Sequence, residues 1–134
     1  YIAVDGEKKE QIADSCAEMF ANNGVIIKNA PVLMVLTYIK GRSGYERDGS
    51  FTTSKGDRWQ MFDAGIASQS FCLAAYEQGL GSVILGIFDD AKVASILEIP
   101  ENQEVAALIA VGYPDEEPAA PKRKPVADLL SFIH

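Results

Sequence analysis

The sequence predicts an α/β fold, a β-sheet covered by helices on both faces. Three observations carry this. Strand-like and helix-like segments alternate along the whole chain, the pattern of a sheet sandwiched between helical layers. The run Pro31–Ile39 (PVLMVLTYI) is continuously apolar and rich in β-branched residues, as a strand buried on both faces must be. The segment 58–78 is long and apolar nearly all round, which calls for burial on more than one side.

Each element follows in order. Residues 1–5 read as a strand, punctuated by Asp5 and Gly6. Glu7–Ala21 reads as a helix, with Ile12, Cys16, Met19 and Phe20 at helical spacing. Asp5 is its candidate cap and Glu7 sits in the favoured first turn. Asn22-Asn23-Gly24 reads as its end. After the 31–39 strand, residues 40–57 are polar, glycine-rich and aperiodic. A loop of that length in a compact domain is usually functional or mobile. The helix 58–78 runs into Gly79-Leu80-Gly81, whose glycines permit left-handed or close-approach backbone. Residues 82–88 read as a strand, 89–97 as a short helix capped by Asp89 or Asp90, and 104–111 as the last strand. Gly112-Tyr113-Pro114 breaks it. Residues 115–125 form an acidic, then Pro- and Lys-rich tail, and 126–133 read as a terminal helix. No internal repeat is visible.

Composition bounds the function. The 134 residues fit one domain with a sizeable core. A net charge of −7 argues against a nucleic-acid or anionic-membrane surface. No apolar run approaches the ~20 residues that a membrane span needs, and no signal peptide is evident. The two cysteines, Cys16 and Cys72, are too few for a disulfide framework or a thiolate metal site. They read as reduced core residues of a cytoplasmic protein. His134, the one histidine, stands at the terminus, which disfavours a His-dependent triad or metal centre.

Over nearly its whole length the chain resembles the C-terminal two-thirds or more of the FMN-dependent nitroreductase family. The matching segments are Asn29-Ala30-Pro31-Val32, the helix DAGIASQSFCLAAYEQGLGS (63–82), the strand VILGIF (83–88), and Gly112-Tyr113-Pro114 followed by Lys122-Arg123-Lys124-Pro125. The helix–GLG–strand order is the specific part; the tail is weak alone and useful in combination. The resemblance implies a dimeric three-layer sandwich whose central sheet is mixed, in a single flavin-binding domain over 1–134. The family also carries an N-terminal Arg/Ser phosphate motif and a Pro-Ser/Asn-x-Gln-Pro-Trp loop, neither present here. The chain starts without Met on Tyr1-Ile2-Ala3-Val4, so an N-terminal segment is expected upstream.

The resemblance also assigns site residues. Val83, Ile84, Leu85 and Gly86 align with the segment that lies along the flavin ring, where a backbone N–H meets the N5/O4 edge. Such a donor is fixed and favours the charge that builds as hydride arrives. From the residues alone, Gly86 reads first as a bulge in a buried strand, and it is the resemblance that turns the reading toward the flavin. Arg123, two residues before Pro125, matches the family's phosphate-binding arginine best, with Lys122 one position from its usual lysine. Arg suits bidentate phosphate binding and Lys acts as a point charge; without the resemblance the run reads as a solvated basic turn. Tyr45 and Phe51 would stack on a substrate above the flavin, or else pack on the domain as ordinary loop aromatics. Trp59, Phe62, Ile66 and Phe71 read as core or interface, and Asp115-Glu116-Glu117 as solvated. No side-chain general acid is evident.

The implied working unit is a homodimer with FMN at the interface. NAD(P)H would reduce the flavin, leave, and be replaced by a nitroaromatic, quinone or similar acceptor. Two rivals stand beside this. One is a same-fold flavoenzyme of different chemistry, such as reductive dehalogenation or flavin destruction. The other is a flavin-binding or interaction dimer without turnover.

Overall fold

The computed structural model describes residues 1–133. Its elements are β1 (Ile2–Val4), α1 (Gly6–Met19), α2 (Ala21–Asn29), β2 (Val32–Ile39), α3 (Arg58–Glu77), β3 (Gly81–Leu85), α4 (Asp90–Leu97) and β4 (Gln103–Gly112). The four strands form one sheet in the order β1-β2-β4-β3. Every pairing among them is antiparallel, so the sheet is not the mixed one expected.

Alternation along the central strands sorts the core into two faces. Leu33 and Val35 of β2 and Val105, Leu108 and Ala110 of β4 join Ile12 and Cys16 of α1, Ile27 of α2 and Val93 of α4 in one cluster. The residues between them, Leu36, Ala107, Ile109 and Val111, are also buried but lie outside that cluster. They face the opposite layer, α3, which packs on β2, β3 and β4. A register shift between Leu36 and Thr37 skips Ala106 of β4, which is why odd-numbered Val105 shares a face with Leu108 and Ala110. The three-layer, helix–sheet–helix architecture is as expected.

Four details differ. The first helix ends at Met19, Phe20 is extended (φ −153°), and a second helix starts at once. Asn22-Asn23-Gly24 therefore opens α2 instead of ending α1. Gly24 is there for space: a Cβ on it would sit 2.7 Å from Ala17 Cβ and 2.8 Å from the Ala13 carbonyl oxygen. Buried Lys9 secures the far end of α2, donating to the carbonyls of Lys28 and Ala30 at 3.2 and 2.6 Å, as suits a cation at a helix C-terminus. Second, β3 ends at Leu85, three residues before the expected limit. Third, residues 126–133 hold only a single 3-10 turn, Val126–Asp128. Fourth, residues 40–57 are ordered around a small hairpin: Tyr45 bridges Phe51, and Thr52 N–H donates to the Gly44 carbonyl at 2.9 Å.

The long helix α3 is buried on one side only in the single chain. Gln60, Ala64, Ser68 and Ala75 face the sheet, so the small residues seat the helix on the strands. Its outer surface carries Met61, Phe62, Ile66, Leu73 and Tyr76, each between 52% and 77% exposed. Of the expected core or interface aromatics, Trp59 and Phe71 are half-buried and Phe62 is exposed. Cys72 is half-exposed while Cys16 is fully buried.

Candidate functional site at the end of strand β3

The segment Val83–Phe88 is positioned from both ends. Upstream, α3 closes with Gly79 in the left-handed region (φ +75°). Its N–H donates to the Tyr76 carbonyl, and Leu80 N–H donates to the Ala75 carbonyl, the paired bonds of a glycine-terminated helix. That turn delivers the chain into β3. Downstream, Phe88 packs on the core cluster. Asp89 then caps α4, its carboxylate accepting from Lys92 N–H at 3.0 Å, which is the expected cap and offsets an orphan helix donor.

β3 is an edge strand, paired with β4 alone. Alternate residues on such an edge turn an N–H and a C=O outward with no strand to receive them. Val83 and Ile84 are each 47% exposed, and Leu85 is buried as the anchor. Gly86 lies one residue beyond the strand, so it is not a bulge within it. Its φ is not in the left-handed region, and a Cβ placed on it would meet no atom of the chain within 4 Å. Neither turn geometry nor internal crowding explains a glycine here. Open space against an exposed backbone edge leaves room for a flat ring, such as that of a flavin, to lie on that backbone.

Sequence reasoning passed over one residue of this region. Asn23 is 6% exposed, and its side-chain amide Nδ2 donates to the Ile87 carbonyl at 2.9 Å. The partners stand 64 positions apart. Only the tertiary placement of α2 brings them together, and no sequence signal for the pair exists beyond the presence of an Asn.

The other predicted site residues lie elsewhere. Lys122 and Arg123 are exposed in a segment without regular secondary structure, and no hydrogen bond or ion pair among the described residues engages them or ties them to Val83–Gly86. They are therefore available to an anion, but this chain does not by itself bring them to the β3 edge. Tyr45 and Phe51 meet each other, ring centroids 5.0 Å apart at 56°; they form one aromatic unit in the loop, its Phe51 edge exposed. Beside it, Trp59 Nε1 donates to Thr53 Oγ1 at 2.8 Å, Lys55 lies 4.5 Å over the Trp59 ring, and Phe62 meets that ring edge-on. His134 lies outside the described residues. Asp115–Glu117 are exposed, and Asp115 and Glu116 line a shallow cleft of ≈ 530 Å³ with Ser82, Val83 and Tyr113.

A second cleft, of ≈ 280 Å³, opens between the N-terminal half of α3 and the far end of β2, lined by Tyr38, Arg42, Ser43 and Asp63 among others. Ser43 Oγ donates to Asp63 Oδ2 at 2.5 Å. Burial first, and then the Glu104 carboxylate beside it, hold the Tyr38 hydroxyl far above the usual phenol range, so it stays protonated. Among the described residues no group of three or more His, Cys, Asp or Glu could hold a metal ion, and no helix is long and apolar enough to cross a membrane.

Comparison with known proteins converges with this geometry. The model of the nitroreductase family matches residues 3–113. The chain is 29% identical over 129 residues to the NADPH-flavin oxidoreductase of Vibrio harveyi, covering 90% of this chain and 50% of that protein. A crystal structure of a nitroreductase family protein from Streptococcus pneumoniae superposes with a TM-score of 0.82 at 23% identity, over 98% of this chain and 77% of the other; at that identity it speaks for the fold alone. An FMN-dependent nitroreductase from Clostridium difficile is 29% identical with a TM-score of 0.66, over 90% of this chain and 66% of the other. The chain spans about half the length of the curated relatives that it matches. With the fold, the helix–glycine–strand junction and the family match in agreement over the same residues, the chain belongs to the nitroreductase family.

Proposed function

We propose that this chain is the flavin-binding part of an NAD(P)H-dependent oxidoreductase that carries FMN on the edge of β3 and works as a cytoplasmic homodimer. The observation that carries the reading is Gly86: an exposed glycine at the end of an edge strand, with open space where its side chain would be, in a member of the nitroreductase family. Bound FMN would supply the redox chemistry, taking hydride from NAD(P)H and passing electrons to a nitroaromatic, quinone or similar acceptor.

The chain's own residues do the placing. Val83–Gly86 present backbone to the ring, where a fixed N–H favours developing negative charge without reorganisation. Lys122 and Arg123 offer exposed cations to the phosphate, from a segment that no hydrogen bond or ion pair among the described residues commits elsewhere. The aromatic unit Tyr45–Phe51 offers a stacking face to an acceptor. The apolar outer face of α3 supplies the surface for the second copy. The relatives' names support the reductant and the flavin: an NADPH-flavin oxidoreductase, and a Vibrio harveyi NADPH:FMN oxidoreductase solved in complex with NAD+, which is 25% identical to this chain.

Visible absorbance tests the whole reading. A yellow protein, or one turned yellow by FMN, that bleaches on anaerobic addition of NADH or NADPH is expected. A protein that binds FMN yet cannot be bleached is the interaction dimer without turnover; one that cannot take up FMN at all overturns the proposal. Arg123 is tested by ligand contrast. A charge-assisted hydrogen bond to phosphate contributes roughly 1.5–3 kcal/mol, about ten- to a hundred-fold in affinity. Arg123→Ala should weaken FMN and leave riboflavin, which lacks the phosphate, nearly untouched. Equal losses for the two would remove Arg123 from the phosphate site.

A further inference from the structure

Four residues, Gly86 to Asp89, bridge β3 to α4, the last of them the cap of α4. Leu85 anchors one end in the core and Phe88 the other. Between these anchors Gly86 and Ile87 are exposed residues, and one side chain reaches their backbone from elsewhere in the fold: Asn23, whose amide donates to the Ile87 carbonyl at 2.9 Å. Asn23 is itself held firmly. It lies in the first turn of α2, its own N–H donates to the Phe20 carbonyl at 2.9 Å, and the neighbouring Gly24 lets α2 sit directly on Ala13 and Ala17 of α1. A buried amide on a close-packed helix is a stiff support, whereas an exposed two-residue stretch between anchors has few contacts of its own to fix its peptide planes.

We propose that Asn23 is a positioning residue for the flavin-facing backbone: by holding the Ile87 carbonyl it fixes the orientation of the Gly86–Phe88 peptides that the ring lies against. This rests on the placement of FMN proposed above. Asn23 touches neither cofactor nor substrate in this role; it acts through the Ile87 carbonyl. The consequence is that FMN affinity and the electronic environment of the ring depend on a side chain in a helix on the other side of the bridge. Without the donor, the bridge samples orientations in which its N–H groups point away, and the binding-competent fraction falls, with apparent affinity falling in proportion.

The test uses the protein reconstituted with FMN and its flavin-free form. Asn23→Leu keeps the forked side-chain skeleton, at some gain in volume, and removes the donor; Asn23→Ala, which also removes the donor, serves if the leucine variant does not fold. Lys9→Met is the structural control, because it loosens the opposite end of the same helix without touching Ile87. Three readouts are taken: melting temperature, amide hydrogen exchange across 85–89 in the flavin-free protein, and FMN titration with the bound flavin spectrum. The expected result is that Asn23→Leu speeds exchange at 86–88, weakens FMN roughly ten-fold and shifts the bound spectrum, while Lys9→Met lowers the melting temperature and leaves exchange at 86–88, affinity and spectrum unchanged. Wild-type exchange, affinity and spectrum in a folded Asn23 variant overturn the positioning role. Parallel FMN losses in Asn23→Leu and Lys9→Met overturn it too, since they would report only helix stability. Gly86→Val separates the two layers of the argument. Loss of FMN there with Asn23→Leu unaffected sinks the Asn23 inference alone; full FMN affinity in Gly86→Val sinks the flavin placement and the inference with it.

Discussion

Replacing Gly86 with valine puts a branched side chain at the one point where the fold leaves room and the proposed cofactor does not. The cost to the fold is small. No atom of the chain lies within 4 Å of the added Cβ, and the residue's φ is outside the left-handed region, so neither overpacking nor backbone strain arises. Substitutions free of such mechanisms fall within about 0.5 kcal/mol, roughly a 2 °C change in melting temperature for a chain of this size. The cost to FMN is large. A ring at van der Waals contact with the backbone sits at about 3.5 Å, too near to admit a Cβ and two methyl groups. Displacing it breaks the N–H contact to the ring edge, worth roughly 1.5–3 kcal/mol for a bond to developing charge, or about ten- to a hundred-fold in affinity. Fluorescence titration of FMN alongside a thermal scan reads the two quantities separately. A folded Gly86→Val protein with unchanged FMN affinity and unchanged NAD(P)H oxidation would refute the reasoning. A large fall in melting temperature would show that Gly86 serves the fold after all.

Other outcomes follow from the same contacts. Ile66→Arg, on the exposed face of α3, should convert a dimer into monomers or insoluble protein; a wild-type chain that sediments as a monomer at micromolar concentration would contradict the dimer. Gly24→Leu should cost about 1–3 kcal/mol by overpacking α1 against α2, measured as a lower midpoint in urea; an unchanged midpoint would mean that the helices separate freely. Burial pushes the Cys16 thiol up and keeps it protonated, so a charged thiol reagent should modify Cys16 only on unfolding and half-exposed Cys72 first; rapid Cys16 labelling in native protein would show that the α1–β2 core opens.

The elements legible in the sequence are those whose signal is local. The apolar runs of β2 and β4 place their strands to within a residue or two, because burial on both faces leaves no polar interruption. Gly79 is legible because a left-handed helix end admits few other residues. What escaped is set by tertiary contact. The break at Phe20 is a single extended residue between two helices, and the Asn-Asn-Gly after it carries the composition of a stop. Gly24 stands inside a helix because Ala13 and Ala17 come within contact of it, a fact that exists only once two helices cross. The end of β3 is likewise invisible to periodicity: Ile87 and Phe88 are apolar, yet pairing with β4 stops at Leu85 opposite Leu108. The same logic governs the site. Gly86 is legible as an anomaly, but its meaning turns on the empty space beside it; Asn23 is not legible at all, because its partner lies 64 residues away.

The outer face of α3 shows where sequence and single chain diverge most usefully. Apolarity around the whole helix calls for burial on more than one side, yet the chain buries only the Gln60–Ala64–Ser68–Ala75 face. The small residues there are accounted for by the sheet, so they give no information about a second helix. The large ones, Phe62, Ile66, Leu73 and Tyr76, are left in water. At roughly 25 cal/mol per Å², several half-exposed large side chains on one helix are an unfavourable surface for a monomer and an adequate core for an interface. This unburied remainder, and not the helix's amphipathicity, is the physical argument for the second copy.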